Sequence, residues 1–275
     1  MKDDRNRELF PAGSGRTGQR RTRVFSFTVG VWFSWLFLVA GCVTVNQEQA
    51  ESHMNIGVAY MQSGEYNSAL KELLKAEKLG EANPKIHYLL GIAYSGKGLQ
   101  ELAIAEMKKA ISLDNNYSEA HNFLGTIYLN MEKWDLAIES FEKALANILY
   151  DTPAKAHYNM GLAYYHKGSY AAALQQYGLA STQNPEPADL PFLEKNWGIA
   201  LLASGRPHEA LKHLQKSVEL VPALAESYYW IGQCFVEQGN REKAKEAFQE
   251  VIRLAPDTEW GEKSRKKIRE LSFRR

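Results

Sequence analysis

Leu90-Gly91-Ile92-Ala93-Tyr94 and Leu124-Gly125-Thr126-Ile127-Tyr128 are two copies of the motif that decides the fold. Four further copies begin at Ile56, Met160, Trp197 and Ile231, and the six glycines are spaced by 34, 34, 36, 37 and 34 residues. A period of this length indicates stacked supersecondary units, because one such unit cannot bury its apolar face alone. The sequence therefore predicts a solenoid of about six units.

Each unit has the internal pattern of two packed helices. In five units a second glycine follows the first by seven residues, as Gly98 follows Gly91, and predicts the turn between the helices. A small residue such as Ala103 then allows a close helix crossing, and a proline such as Pro222 ends the second helix. Over about residues 50–258 this pattern resembles the tetratricopeptide repeat family.

The resemblance implies an all-α fold, a right-handed α-solenoid of about six repeats with one concave groove and a basic C-terminal capping helix. The predicted segments are the repeats 50–83, 84–117, 118–153, 154–190, 191–224 and 225–258, followed by the capping helix 259–275. Two turns between repeats are lengthened, Asn147–Pro153 by two residues and Asn184–Pro191 by three. Insertions of this kind map to one side of a solenoid, often the binding side.

The N-terminal segment has the parts of a bacterial export signal. A basic region ending at Arg23 precedes an uncharged apolar stretch, 24–41, which is a little short for a membrane-spanning helix. Val39-Ala40-Gly41-Cys42 resembles the lipobox of bacterial lipoproteins, which implies that 1–41 is removed and that Cys42 carries the acyl chains. Residues 42–49 would then form a linker. By resemblance to known bacterial sorting rules, Val43 after the cysteine implies a lipid anchor at the periplasmic face of the outer membrane. The alternative is an uncleaved signal anchor.

The charge distribution and the available motifs exclude several function classes. The chain has a net charge of +1 and its first 23 residues one of +4, so the part after Gly41 carries −3. A mildly acidic body gives no electrostatic reason to bind nucleic acid. The sequence contains no nucleophile elbow, phosphate-binding loop or HExxH motif. We therefore predict a protein that is not an enzyme and that needs neither a cofactor nor a small-molecule substrate.

Four histidines and Cys234 are the candidates for metal-binding or reactive sites. His53, His87, His121 and His157 recur at one repeat position, which raises the hypothesis of a metal-binding ladder. Adjacent repeats separate equivalent side chains too widely for one ion, so a packing role is favoured and no metal site is predicted. Cys234 replaces an alanine found in other repeats and is interpreted as a buried, inert thiol.

The family resemblance also indicates which residues face the groove, namely positions 2, 5, 9, 12 and 13 of each unit. Many of them are tyrosine, methionine or phenylalanine, which offer rigid contact area to an extended or helical peptide. The predicted partner-binding residues are Met54, Met61, Tyr88, Asn122, Tyr158, Leu162, Tyr165, Phe192 and Tyr229. The alternative is that some of them pack between repeats.

The lipobox, the repeats that fill the mature chain and Leu149-Tyr150 after the third repeat together resemble the PilF/PilW family of type IV pilus pilotins. This resemblance implies a lipoprotein that binds a secretin subunit, brings it to the outer membrane and promotes its multimerisation. The alternative is a general envelope adaptor of the NlpI type, which gathers peptidoglycan-processing enzymes beneath the outer membrane.

Overall fold

The computed structural model describes residues 46–80 and 82–273, and within these ranges the chain forms helices and turns without any strand. The chain divides between Glu48 and Gln49, and Gln49–Arg275 forms one compact unit. The predicted signal segment 1–41 and Cys42 lie outside the described residues. In the described ranges, no helix combines the length and the apolar character that crossing a bilayer requires.

Thirteen helices follow one another in the described ranges. The first, α1, is described over 46–62, so it already includes residues that were predicted to be a linker. Ala50 and Met54, one helical turn apart, are both buried in the same apolar cluster, which anchors this helix close to its start. The others are α2 (Tyr66–Leu79), α3 (Pro84–Gly96), α4 (Gln100–Leu113), α5 (Ser118–Asn130), α6 (Trp134–Leu145), α7 (Pro153–His166), α8 (Tyr170–Thr182), α9 (Leu190–Ala203), α10 (Pro207–Leu220), α11 (Ala225–Glu237), α12 (Arg241–Leu254) and α13 (Glu259–Phe273).

Helices contact their neighbours along the chain, as expected of a solenoid. From α3 to α13, each odd-numbered helix also contacts the next odd-numbered helix, whereas no two even-numbered helices of the described ranges contact each other. The odd-numbered helices are therefore closer together and line the concave side, and the even-numbered helices form the outer side. The predicted all-α solenoid of helix pairs with a C-terminal capping helix is confirmed.

The repeat motif is explained by how the two helices of each unit meet. A Cβ atom added to the motif glycine would lie 2.5–2.8 Å from a large side chain of the following helix, as at Gly125, where it would meet the ring of Phe141. The large side chains are fully buried in all six units; they are Leu73, Met107, Phe141, Tyr177, Leu214 and Phe248. The glycine and the large side chain are thus complementary, and the glycine is required by packing.

The turn inside each unit needs a left-handed backbone conformation. Five units use a glycine there, for example Gly98 with a φ of 77°. The third unit has no glycine at this turn, yet Glu132 adopts a φ of 58° in its place. A non-glycine residue pays about 1–2 kcal/mol for that conformation, so the packing of α5 against α6 is strong enough to impose it.

Candidate functional site: the concave groove

The predicted groove residues lie on the odd-numbered helices but differ in exposure. Phe192 is 44% exposed, whereas Met54 and Tyr229 are only 6% and 7% exposed. The remaining six are half-buried, each with part of its surface covered by a neighbouring helix. The half-buried and exposed residues can offer contact area to a partner, and the buried ones cannot.

Several half-buried groove residues also hold successive odd-numbered helices together. The hydroxyl of Tyr158 on α7 accepts a hydrogen bond of 2.6 Å from Nδ2 of Asn196 on α9. Nζ of Lys195 on α9 donates to Oε2 of Glu226 on α11, also at 2.6 Å. The ring of Tyr88 lies 5.2 Å from that of Tyr117, centroid to centroid. These contacts fix the spacing of the helices, so the groove is preorganised.

Two of the predicted partner-binding residues, Met54 and Tyr229, are buried against neighbouring helices. The ring of Tyr229 lies 5.1 Å from Trp260 of α13 and 5.6 Å from Phe248. It packs between α11 and α13 because the capping helix occupies the place that a seventh repeat would take. Met54 is buried at the other end of the solenoid, in the apolar cluster shared by the helices of the first two units. For these two residues, packing between helices replaces the predicted partner contact.

On α7 the structure brings Tyr158, Leu162 and Tyr165 together around one apolar cluster. Burial raises the pKa of Tyr158 to about 12, although the hydrogen bond from Asn196 acts in the opposite direction. Burial also raises the pKa of Tyr165 above its usual value. Both phenols therefore stay neutral at physiological pH, and they can exchange hydrogen bonds with a peptide backbone while their rings supply apolar area.

The lengthened turn between α6 and α7 presents two aliphatic side chains to solvent. Ile148 is 95% exposed and Leu149 is 81% exposed, whereas Tyr150 is buried at 7%. Nδ2 of Asn147 donates to Oγ of Ser118 at 3.1 Å, and its Oδ1 accepts from the backbone N–H of Leu149 at 3.0 Å. Asn147 thus ties the start of the turn to α5, and the two adjacent aliphatic side chains form an exposed apolar surface of the kind that can bind a partner.

A cavity of about 260 Å³ lies between the two lengthened turns. Its lining residues are Asp151, Thr152, Ala154, Lys155, Tyr158, Ala180, Gln183, Asn184, Pro185, Glu186, Asp189 and Leu193. The sequence shows that both turns are lengthened, but it does not show that they meet at one cavity, and most of these residues were not predicted. The available signal was that successive repeats carry their insertions at equivalent positions.

The recurring histidines join the two helices of their own units. Nδ1 of His53, His87 and His157 lies 2.7–2.8 Å from a side-chain oxygen nineteen residues later, that of Glu72, Glu106 and Gln176 respectively. In the fifth unit the pair is reversed, since Glu194 on α9 accepts from His213 on α10 at 2.6 Å. His121 differs, because its Nε2 bonds the backbone oxygen of Asn115 at 3.0 Å.

One of these histidine–carboxylate pairs has a third neighbour whose side chain could bind a metal ion. Within the described ranges, Glu77, His87 and Glu106 form the one group whose ligand atoms all lie within 4.8 Å of one another. Nζ of Lys109 donates to Glu77 at 3.2 Å, and Glu106 is already bonded to His87. These contacts explain the group as a link between helices. The same histidine link occurs in other units without a second carboxylate.

Cys234 lies in the interior of the solenoid. It is fully buried, and burial, together with the charge of Glu237, raises the pKa of its thiol to about 12. The thiolate is the reactive form of cysteine, so the side chain acts as a small apolar group between α11 and its neighbours.

Comparisons with known proteins agree with this geometry. Models described as TPR repeat and tetratricopeptide repeat match residues 57–98, 84–117, 124–188 and 190–257. The structure is similar to that of PilF from Pseudomonas aeruginosa, with 18% identity, a TM-score of 0.71 and coverage of 81% of this chain and 99% of that one. It is also similar to PilW, described as a widely conserved type IV pilus biogenesis factor, with 19% identity, a TM-score of 0.72 and coverage of 78% and 97%. By sequence, the photosystem I assembly protein Ycf3 of Rippkaea orientalis is 30% identical in an alignment 118 residues long, which covers 38% of this chain and 68% of that protein.

Proposed function

The chain belongs to the tetratricopeptide-repeat family of protein-interaction scaffolds, and on that premise we propose that it is a pilotin of type IV pili. In this proposal it binds a segment of a secretin subunit in its concave groove and promotes secretin assembly at the outer membrane. The observation that carries the proposal is the similarity of the fold over its whole extent, with TM-scores of 0.71 and 0.72 over 99% of PilF and 97% of PilW.

The proposed location rests on the N-terminal sequence. The basic and apolar segments followed by Val39–Cys42 support export, removal of 1–41 and acylation of Cys42. Several acyl chains are needed for a stable anchor, because a single chain holds a protein at a membrane only marginally. We propose that the solenoid is thereby held at the periplasmic face of the outer membrane, where it meets the secretin.

We also propose that the protein acts by binding and not by catalysis. Cys234 and His87, which are of the residue types that often catalyse reactions, are fully buried in the described structure. The groove instead offers neutral phenols and apolar surface on α7. Because Tyr158 is already held by Asn196, a partner that contacts it has little side-chain entropy to remove.

Deleting the gene in the source bacterium tests the pilotin proposal. We expect secretin subunits to remain monomeric or to accumulate in the wrong membrane, with loss of surface pili, as measured by denaturant-resistant multimers on gels and by membrane fractionation. If secretin multimers form normally in the deletion strain, the pilotin proposal is wrong and the general envelope adaptor takes its place.

A variant pair separates groove binding from general effects on the fold. Tyr158→Ala combined with Tyr165→Ala should weaken secretin binding by about tenfold or more. A few aromatic side chains that a partner covers on binding usually supply most of the binding energy. The matched control, Leu136→Ala with Leu220→Ala, changes two exposed apolar residues of the outer helices and should leave binding unchanged. Helicity and processing of all variants are checked by circular dichroism and by gel mobility.

A further inference from the structure

The cavity between the lengthened turns holds more negative than positive charge. Asp151, Glu186 and Asp189 line it together with a single cation, Lys155. In the described structure these three carboxylates have no side-chain hydrogen bond or ion pair, and Asp189 does not use its carboxylate to cap α9 although it occupies the cap position. Many carboxylates elsewhere are paired, as Glu139 is with Lys143. Asp151 and Glu186 are exposed and Asp189 is half-buried, so the cavity presents to solvent three carboxylates that no side chain of the described structure pairs.

The residues that line the cavity favour an organic cation over a metal ion. The three carboxylates do not lie close enough together to share one ion, because the only such group of three in the described ranges is Glu77, His87 and Glu106. The same cavity is also lined by the apolar residues Ala154, Ala180 and Leu193. A lysine or arginine side chain has matching features, an apolar stem and a charged head.

The surface next to the cavity indicates what accompanies that cation. The exposed Ile148 and Leu149 precede Asp151 by three and two residues, so they lie within about 10 Å of it along the chain. On the other side, Tyr158 belongs both to the cavity wall and to the apolar cluster of the groove. A peptide whose basic residue enters the cavity would therefore place its neighbours on apolar surface.

We propose that this cavity is the specificity pocket of the groove and that it binds a lysine or arginine side chain of the partner, flanked by an apolar residue that contacts Ile148 and Leu149. This inference rests on the proposed function in that the partner is a peptide segment bound in the groove. Unpaired carboxylates at the edge of a groove also attract a cationic segment over a distance, which increases its association rate at low salt.

The test uses the full-length protein, purified in detergent, and a displayed library of random twelve-residue peptides. Three proteins are compared: the wild type, the pocket variant Asp151→Asn/Glu186→Gln/Asp189→Asn, and the control Glu142→Gln/Glu219→Gln/Glu246→Gln, which removes three exposed charges from outer helices. The wild type and the control should select peptides in which lysine or arginine adjoins an apolar residue. The pocket variant should lose this basic preference and still select apolar residues.

A second measurement fixes the size of the effect. For the tightest basic peptide that the library yields, the basic residue is replaced by norleucine, and fluorescence anisotropy compares both peptides. The wild type should bind the norleucine peptide about tenfold more weakly at low salt, a difference that shrinks at high salt, whereas the pocket variant should bind both alike. The melting temperature of the pocket variant should not fall, because its carboxylates stabilise no contact in the free protein.

The outcomes distinguish the pocket from the groove. If the wild type selects peptides without a basic residue, or if the pocket variant selects the same basic peptides, the pocket proposal is overturned and groove binding stands. If the wild type selects no peptide at all, both the groove and the pocket proposals fail. A marked loss of thermal stability in the pocket variant would assign its carboxylates a structural role and would also overturn the proposal.

Discussion

Replacing Gly198 by alanine should destabilise the protein, even though alanine is the better helix former. Gly198 is buried in α9, and an added Cβ would lie 2.6 Å from Cγ of Leu214 and 3.0 Å from the backbone oxygen of Ala210. Carbon atoms in contact are normally about 3.5–4.0 Å apart, so the shortfall is about 1 Å. Neither atom is the free end of a flexible side chain, and Leu214 is itself fully buried. The helices α9 and α10 must therefore separate.

The expected magnitude follows from two opposing terms. Overpacking a buried contact costs about 1–3 kcal/mol, and replacing a helical glycine by alanine returns about 0.5–1 kcal/mol. At the middle of these two ranges the free energy of unfolding falls by about 1 kcal/mol, and at most it falls by about 2.5 kcal/mol. Each kcal/mol lowers the melting temperature of a domain of this size by about 2–4 °C. Thermal unfolding followed by circular dichroism measures this shift.

Gly178 of α8 provides the matched control. Its added Cβ would meet only atoms of Trp197, at 3.8 and 3.9 Å, which is ordinary contact. Gly178→Ala should therefore raise the melting temperature, by about 1–4 °C. If Gly198→Ala is as stable as the wild type, or if both variants shift in the same direction, close helix packing is not the reason for the repeated glycine.

Three further predictions concern single residues. Cys42→Ser should leave the protein as an unprocessed precursor that incorporates no labelled palmitate, and normal processing of this variant would contradict the lipoprotein proposal. The thiol of Cys234, whose pKa burial raises to about 12, should react with a thiol reagent about a hundredfold more slowly in the folded than in the unfolded protein; comparable rates would mean that it is accessible. Burial alone would raise the pKa of Glu194, but hydrogen bonds from His213 and Lys216 outweigh it and hold the pKa below the usual 4.5. The carboxylate therefore stabilises the fold above about pH 4.5, and this contribution is lost as the pH falls through the lowered pKa; Glu194→Gln should lower the melting temperature at pH 7 and leave a smaller difference near pH 3, and an unchanged difference would contradict this assignment.

The fold could be predicted from the sequence because the repeat places complementary residues at fixed distances. Gly125 and Phe141 are sixteen residues apart, as are the equivalent residues of every other unit, and their contact sets how the helices of a unit cross. The turn of the third unit lacked its expected glycine, and the packing of its helices nevertheless imposed the left-handed conformation on Glu132. Periodic contacts of this kind are visible in a sequence because both partners repeat.

The groove could be predicted only in outline, because the exposure of its residues depends on the next helix. Tyr158 and Tyr229 occupy the same repeat position, yet Tyr158 is half-buried beside α9 and Tyr229 is covered by Trp260 of α13. The sequence of one repeat does not show which residue of the following unit will lie against it. The cavity could not be predicted for the same reason, because its walls come from two turns that are about thirty residues apart and the sequence does not show that these turns meet.

The position of the lengthened turns is compatible with a solenoid that varies its binding surface without losing its core. Each helix from α2 to α13 contacts only its nearest neighbours among these helices and, on the concave side, the next odd-numbered helix. An insertion before α7 or α9 therefore changes the surroundings of those helices alone. The buried glycine contacts continue unchanged through both units, at Gly161 and Gly198. Residues in the turns, such as Asp151 and Glu186, are therefore free to be selected for recognition, because the packing that stabilises the repeat does not depend on them.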